Sequence, residues 1–134
     1  MESPIVNDKR PKVLDVGQCD FDHGNISRLL TEDFGADVVQ AATSEEAVQA
    51  VRGGRFDLVL INRILDVDGA SGLDLIQRLK SHEETRSTPV ALISNYPEAQ
   101  EAAVALGALR GFGKDALTDP ESHNLLASIL GQER

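Results

Sequence analysis

Tryptophan is absent from this chain of 134 residues, and cysteine, methionine and tyrosine occur once each. The single Cys19 excludes an internal disulfide framework and a cysteine-based zinc cluster. Aromatic residues make up only 4%, so a core must be built from Leu, Val, Ile and Ala. Basic residues are scarce: 13 against 22 acidic ones, a net charge of −9. That balance argues against a nucleic-acid footprint, which needs clustered Lys and Arg. It argues equally against an anionic membrane surface. No apolar run approaches the ~18 residues of a membrane span. The opening MESPIVNDKRPK has no apolar stretch before a cleavage site, so it does not read as a signal peptide. A cytoplasmic location is expected. No glycine-rich phosphate loop follows the first apolar run, which leaves nucleotide binding unsupported.

What is present is a full-sized single domain with 41% hydrophobic residues. Residues 1–10 read as a polar lead and 11–134 as one folded unit. Lys12–Gly17 is a short β-rich run. Ile26, Leu29, Leu30 and Phe34 recur at helical spacing, with Asp20 or Asp22 placed to cap that helix and Gly35 to end it. Ala36–Ala41 is a second strand. Thr43 and Glu46 form a capping-box pattern before a helix over Glu45–Arg52. Phe56–Ile61 is the most apolar run, which implies a central parallel strand buried on both faces. A helix striped by Leu73, Leu75, Ile76 and Leu79 follows Gly72. Val90–Ile93 is strand four. Pro97 opens a helix to about Leu106 whose inward residues are Ala99, Ala102 and Ala103. Leu109–Gly113 is a weaker fifth strand. Thr118 or Asp119 caps a last helix striped by Leu125, Leu126, Ile129 and Leu130.

Five strand–helix units with right-handed crossovers predict an open parallel sheet with helices on both faces, a three-layer α/β/α fold. Sites in such sheets form beyond the carboxyl ends of the strands. Gly17 to Asp22, Asn62 to Asp68, Ser94-Asn95 and Lys114-Asp115 all fall there.

At those strand ends the chain resembles the receiver domain of bacterial response regulators, from Lys12 to Leu130. FDLVLIN resembles the family's third strand, "PDLVLLD", which ends in the phosphoacceptor Asp. KVLDVGQCD resembles "KVLIVDDD", PVALIS resembles the fourth strand ending in Thr or Ser, and GALRGFGK resembles "GADDYLxK". The resemblance implies a flavodoxin-like fold, (βα)5, with strand order 2-1-3-4-5. Ser94 and Lys114 match the family's hydroxyl and lysine positions. The other positions depart. Asn62 stands at the phosphoacceptor, Gly17 and Gln18 at the two acidic magnesium positions, and Gly111 at the aromatic switch position. Asn95 and Asp115 replace a small residue and a proline. The loop after strand three is about two residues longer than usual, if Gly72 matches the family's glycine before helix three.

An amide is a far weaker nucleophile than a carboxylate, and magnesium wants carboxylate oxygens. The expectation is therefore a degenerate, non-enzymatic receiver, without magnesium or another cofactor, acting by protein contact. Two carboxylates ~4 Å apart repel by ~4 kcal/mol at an effective dielectric of 20, so a neutral pocket needs no metal to be stable. Two alternatives stay open. Ser94 or Asp66 could take a phosphoryl group, or the emptied pocket could hold a small neutral molecule. Asp66 and Asp68 either rebuild a cation site or are solvated loop carboxylates. Ser94 either works in a site or bonds locally, and Lys114 either works there or pairs with Asn62 or a carboxylate. Cys19 reads as inert, and His23, His82 and His123 as surface residues. Asp15, inside strand one, is either paired against a helix or exposed at an edge.

The family's usual output face, helix four with strand five and helix five, would carry Glu98, Glu101, Val104, Ala105 and Arg110. The partners implied are a histidine kinase, an output domain or another signalling protein, with a homodimer through that face as a further option. The residues read either as a stand-alone receiver or as part of a longer regulator or hybrid kinase.

Overall fold

The structure is a computed structural model that describes residues 10–131. The proposed lead therefore lies outside the described residues, apart from Arg10, whose Nε meets Asp37 Oδ1 at 3.5 Å. Five strands alternate with five helices: β1 Lys12–Val16, α1 Asp20–Phe34, β2 Asp37–Ala41, α2 Ser44–Gly53, β3 Leu58–Asn62, α3 Gly72–Ser81, β4 Val90–Ile93, α4 Pro97–Ala105, β5 Leu109–Phe112 and α5 Pro120–Leu130. The sheet is parallel throughout, in the order β2-β1-β3-β4-β5. The strand–helix alternation predicts the open parallel sheet, and the receiver resemblance implies its flavodoxin-like order; both are found.

Strand periodicity assigns the two cores. Val13, Leu58, Leu60, Ala91 and Ile93 point to one face, where α1 and α5 supply Ile26, Leu30, Phe34 and Leu126. Leu14, Val16, Val59, Ile61 and Leu92 point to the other, against α2, α3 and α4 with Val48, Leu75, Ile76, Leu79 and Ala103. β3 is fully buried up to Ile61, as its unbroken apolar run requires. β2 at the edge is mostly exposed.

The local signals of α2 act largely as read. Thr43 Oγ1 accepts the Glu46 N–H at 3.1 Å, and Glu46 Oε1 reaches back to the Ala42 N–H at 2.7 Å. α1 differs. Its N-cap is Cys19, with no side-chain cap bond, and Asp20 and Asp22 lie inside the first turn. Carboxylates there still face the positive end of the helix dipole. Asp119 occupies the N-cap of α5 without a side-chain bond either.

Two polar residues are buried in the sheet's packing, Asp15 as one of its two sequence readings allowed and Gln100 unforeseen. Asp15 is completely buried within β1, on the face covered by α1. Gln100, in the helix read as an alanine stripe, is buried against the β4–β5 seam. The register between those strands slips after Ala91↔Leu109 and resumes at Ile93↔Phe112. Gln100 fills the irregularity. Its Nε2 donates to Leu92 O at 2.9 Å and Ser94 O at 3.1 Å, and its Oε1 accepts the Gly111 N–H at 2.8 Å. One side chain thus satisfies backbone groups that the sheet leaves unpaired.

Candidate functional site

The carboxyl ends of β1, β3, β4 and β5 meet at one rim. Asn62 closes β3 there, half-buried. Both hydrogens of its amide are used: Nδ2 donates to Gly17 O at 3.0 Å and to Ile64 O at 2.7 Å. Two carbonyl partners fix which side-chain atom is nitrogen. They also bind the end of β3 to the end of β1.

Gly17 follows β1 with φ +79°, in the left-handed region that favours glycine. A Cβ placed there would lie 2.5 Å from Leu65 Cγ. Leu65 is fully buried although it sits in a polar loop. The loop folds back to hold it. Leu65 N donates to Ala70 O at 2.9 Å, Gly69 N to Leu65 O at 2.8 Å, and Gly72 N to Arg63 O at 2.7 Å. Ile64 and Ser71 form an antiparallel bridge. The β3–α3 loop thus carries an apolar plug over Gly17. Asp66 and Asp68 are exposed on its outer side, and Asp68 Oδ1 accepts the Ala70 N–H at 3.0 Å as a turn cap. Neither lines the rim cleft described below.

Gln18 is buried, 5% exposed, and neither of its polar side-chain atoms has a hydrogen-bond partner among the described residues. Asp15 is paired: its Oδ2 lies 2.7 Å from His23 Nδ1 on α1. This corrects the expectation that His23 is a surface residue, since its side chain is only 20% exposed. Residues eight apart meet here because a strand returns to its own helix. Burial pushes the Asp15 carboxyl up to about 6, against the pull of His23. Asp15 Oδ1 remains without a partner among the described residues.

On the other half of the rim, Ser94 is 8% exposed and its Oγ accepts the Tyr96 N–H at 3.1 Å. Asn95 Oδ1 accepts the Asp115 N–H at 3.2 Å, joining the loop after β4 to the loop after β5. Lys114 Nζ pairs with Asp22 Oδ2 at 2.8 Å, not with Asn62. That bond, ahead of the opposing effect of burial, holds the Asp22 carboxyl below its usual range. Cys19 Sγ also donates to Asp22 Oδ2, at 3.4 Å. Gly111 faces β4 so closely that an added Cβ would collide with Leu92 O.

The rim therefore brings Asn62, Gly17, Gln18, Ser94 and Lys114 together. Sequence reading missed Leu65, Gln100 and the Asp15–His23 pair. A leucine between Ile64 and Val67 in a short loop has no periodicity to mark it as the buried one. Glu98, Glu101, Val104, Ala105 and Arg110 all lie exposed on α4 and β5. No helix among the described residues is long and apolar enough to cross a membrane.

A parallel sheet in the order β2-β1-β3-β4-β5 with a polar rim at its carboxyl edge defines a doubly wound, flavodoxin-like α/β module. The response regulator receiver domain matches residues 23–128, and the chain belongs to that family. It is 29% identical over 130 residues to the sensor protein GacS of Pseudomonas syringae pv. syringae, covering 95% of this chain and 14% of that protein. The chain thus spans about one-seventh of that relative. Among solved structures, it is similar to the signal receiver domain of a DNA-binding response regulator from Colwellia psychrerythraea 34H. That match has a TM-score of 0.78 and 20% identity and covers 91% of this chain and 99% of the other. The receiver domain of the sensor histidine kinase PA1611 from Pseudomonas aeruginosa PAO1 matches with a TM-score of 0.70 and 20% identity, over 91% and 98% of the two chains. That structure holds a magnesium ion in its active-site cleft. This protein is accordingly a receiver domain of two-component signalling.

Proposed function

We propose that this receiver works without phosphorylation or magnesium, as a non-enzymatic module that signals by protein contact. One observation carries the reading: the space beside Gly17 is filled by Leu65. A carboxylate at position 17 would need both an unfavourable backbone conformation and removal of a buried leucine. The remaining groups fit a divalent cation poorly. Gln18 offers a neutral amide, and Asn62 spends its hydrogens on carbonyls and leaves one neutral oxygen. Magnesium requires near-octahedral oxygen coordination with carboxylate charge. Among the described residues, no group of three His, Cys, Asp or Glu side chains is arranged for a metal.

The β4–β5 seam supports the same reading. Glycine stands at the aromatic switch position, too close to Leu92 for a side chain. Gln100 ties both strands at that point. A receiver that changes partner affinity needs two packings of this region. Here one packing is stapled, which supports a constitutive surface. The partner surface that fits is the exposed face of Glu98, Glu101, Val104, Ala105 and Arg110, and the partner is a histidine kinase, an output domain or another signalling protein.

Incubation with acetyl phosphate and millimolar Mg²⁺, followed by intact mass measurement, tests the reading. No covalent phosphoryl group should be retained, and Mg²⁺ should leave the melting temperature unchanged. A stable phosphoryl adduct on any residue, Ser94 and Asp66 included, would overturn it. So would a rise of several degrees with Mg²⁺, because a ligand that binds only the folded state must stabilise it.

A further inference from the structure

We propose that the groove between the first turns of α3 and α4 is a self-association surface, and that its occupant is the same groove of a second copy of this chain. The groove is a hollow of about 280 Å³, mostly apolar, lined by Ile64, Leu73, Tyr96, Ala99 and Ala102. Two alanines on α4 leave space that larger side chains would fill. Two large side chains at its edge stay exposed, Ile64 at 43% and Tyr96 at 53%. Both are held in place. The backbone of Ile64 is tied by its bridge to Ser71 and by the Asn62 amide, which donates to its carbonyl. The Tyr96 ring lies under the Arg63 guanidinium, whose Cζ is 4.9 Å from the ring centre. Side chains already fixed at a surface lose little freedom when a partner covers them, so more of the gain from burying them is kept.

Charge selects the occupant. Arg63 and Glu98 also line the groove, and neither forms an ion pair among the described residues. A guanidinium stacked on an aromatic face keeps its in-plane N–H fork free for a carboxylate. One cation and one anion beside one apolar hollow make the surface self-complementary. A two-fold axis through it pairs Arg63 with the partner's Glu98 and Glu98 with the partner's Arg63, and sets Ile64 and Tyr96 against the partner's hollow. Two copies of a chain with net charge −9 repel each other at long range. Contact therefore needs a face where each copy brings a cation to the other's acid. A partner that lacks either charge would leave the other buried and unpaired. Tyr and Arg are also residue types that carry much of the binding energy of interfaces. The area is small, so the dimer is weak, with a dissociation constant on the order of 100 μM. The groove shares only Glu98 with the α4–β5 surface proposed above for other partners. No phosphoryl group or metal enters the inference, so it stands or falls apart from the phosphorylation test.

The test is sedimentation velocity of the full chain from micromolar to millimolar concentration, with tyrosine emission followed over the same range. The chain has one tyrosine and no tryptophan, so that emission reports Tyr96 and the groove it lines. A reversible monomer–dimer equilibrium is expected, with an emission change that follows the dimer fraction. Arg63→Glu and Glu98→Arg should each weaken association about tenfold or more, and the double variant should return it to within about threefold of the wild type. Ile64→Ser should weaken it as well without changing any charge. It tests the apolar part of the surface even if a charge reversal disturbs folding. A chain that stays monomeric to millimolar concentration would overturn the proposal and leave the groove to a different partner. Association with unchanged Tyr96 emission would place the contact on another face and overturn it too. So would association that the single reversals leave intact, or that the double variant does not restore.

Discussion

The two halves of the sheet's carboxyl rim have opposite characters. At the β1–β3 half, polar function is turned inward: Leu65 covers Gly17, and the Asn62 amide is spent on two backbone carbonyls. At the β4–β5 half, the Ser94 hydroxyl, the Asn95 amide and the Lys114 ammonium line an open cleft. The difference shows how the two halves treat water. Where no charged group needs hydration, an apolar side chain can cover the backbone, and the hydrophobic effect favours the covered form. The half that keeps hydrogen-bonding groups without an acidic cluster gains nothing from closing, because burying those groups unpaired is costly.

The covered half should be the one that truncation hurts most. Leu65→Ala removes a fully buried side chain from a loop that cannot collapse far, since Leu65 N and O are both bonded within it. It should cost about 2–5 kcal/mol and lower the melting temperature by on the order of 10 °C. A loss below about 0.5 kcal/mol, the range of ordinary surface changes, would mean that the plug is not a packed element. The contrast with the open half would then fail.

Gln100→Ala is next. It leaves Leu92 O, Ser94 O and the Gly111 N–H without their side-chain partner at a buried seam. The expected cost is about 2–3 kcal/mol by chemical denaturation. Hydrogen exchange should accelerate at Gly111 while β1 and β3 stay protected. Uniform acceleration over the whole sheet would show that the seam is not a local staple.

These two residues also mark the limit of what the sequence discloses. The five strand–helix units and both helix layers were legible because apolar runs and helical stripes repeat along the chain, whereas the strand order came only from the receiver resemblance. So was the meeting of Asn62, Gly17, Gln18, Ser94 and Lys114, because strand ends converge in any such sheet. In the β3–α3 loop attention fell on Asp66 and Asp68, which proved exposed. Leu65 was the residue that mattered. Gln100 was hidden for a related reason: a stripe read by hydrophobicity passes over a polar side chain buried to satisfy backbone. The caps expected from Asp20 or Asp22 did not form because α1 starts one residue earlier in space than the acids require, and Asp22 turns to Lys114.

Two carboxylates near the rim extend the comparison to pH. Asp15 titrates near about 6 in the fold, above its ordinary 3.8. A raised folded value means that stability is full below about 3.8 and lost as pH rises through about 6. A shift of about two units corresponds to ~3 kcal/mol as an upper figure at neutral pH. Asp15→Asn keeps a hydrogen-bonding partner for His23 and removes the buried charge. It should stabilise the fold by about 1–3 kcal/mol at pH 7.5 and have little effect near pH 4. Equilibrium unfolding at both pH values checks this. Destabilisation at pH 7.5 would show that the ion pair with His23 outweighs the burial of the carboxylate.

Asp22 has the opposite sign and the smallest effect. Its bond to Lys114 lowers its folded value below 3.8, so its contribution is present above that pH and fades as pH falls through the lowered value. The pair is partly exposed, with side chains 35% and 25% accessible, and solvent screens it. Lys114→Met should therefore cost under about 1 kcal/mol at pH 7, with the loss shrinking in strong acid and in high salt. If the cost reached that of Gln100→Ala, Lys114 would be a structural tie between the β5 end and α1. A small cost leaves the lysine as a group held at the rim by one weak bond, free of any structural duty between β5 and α1.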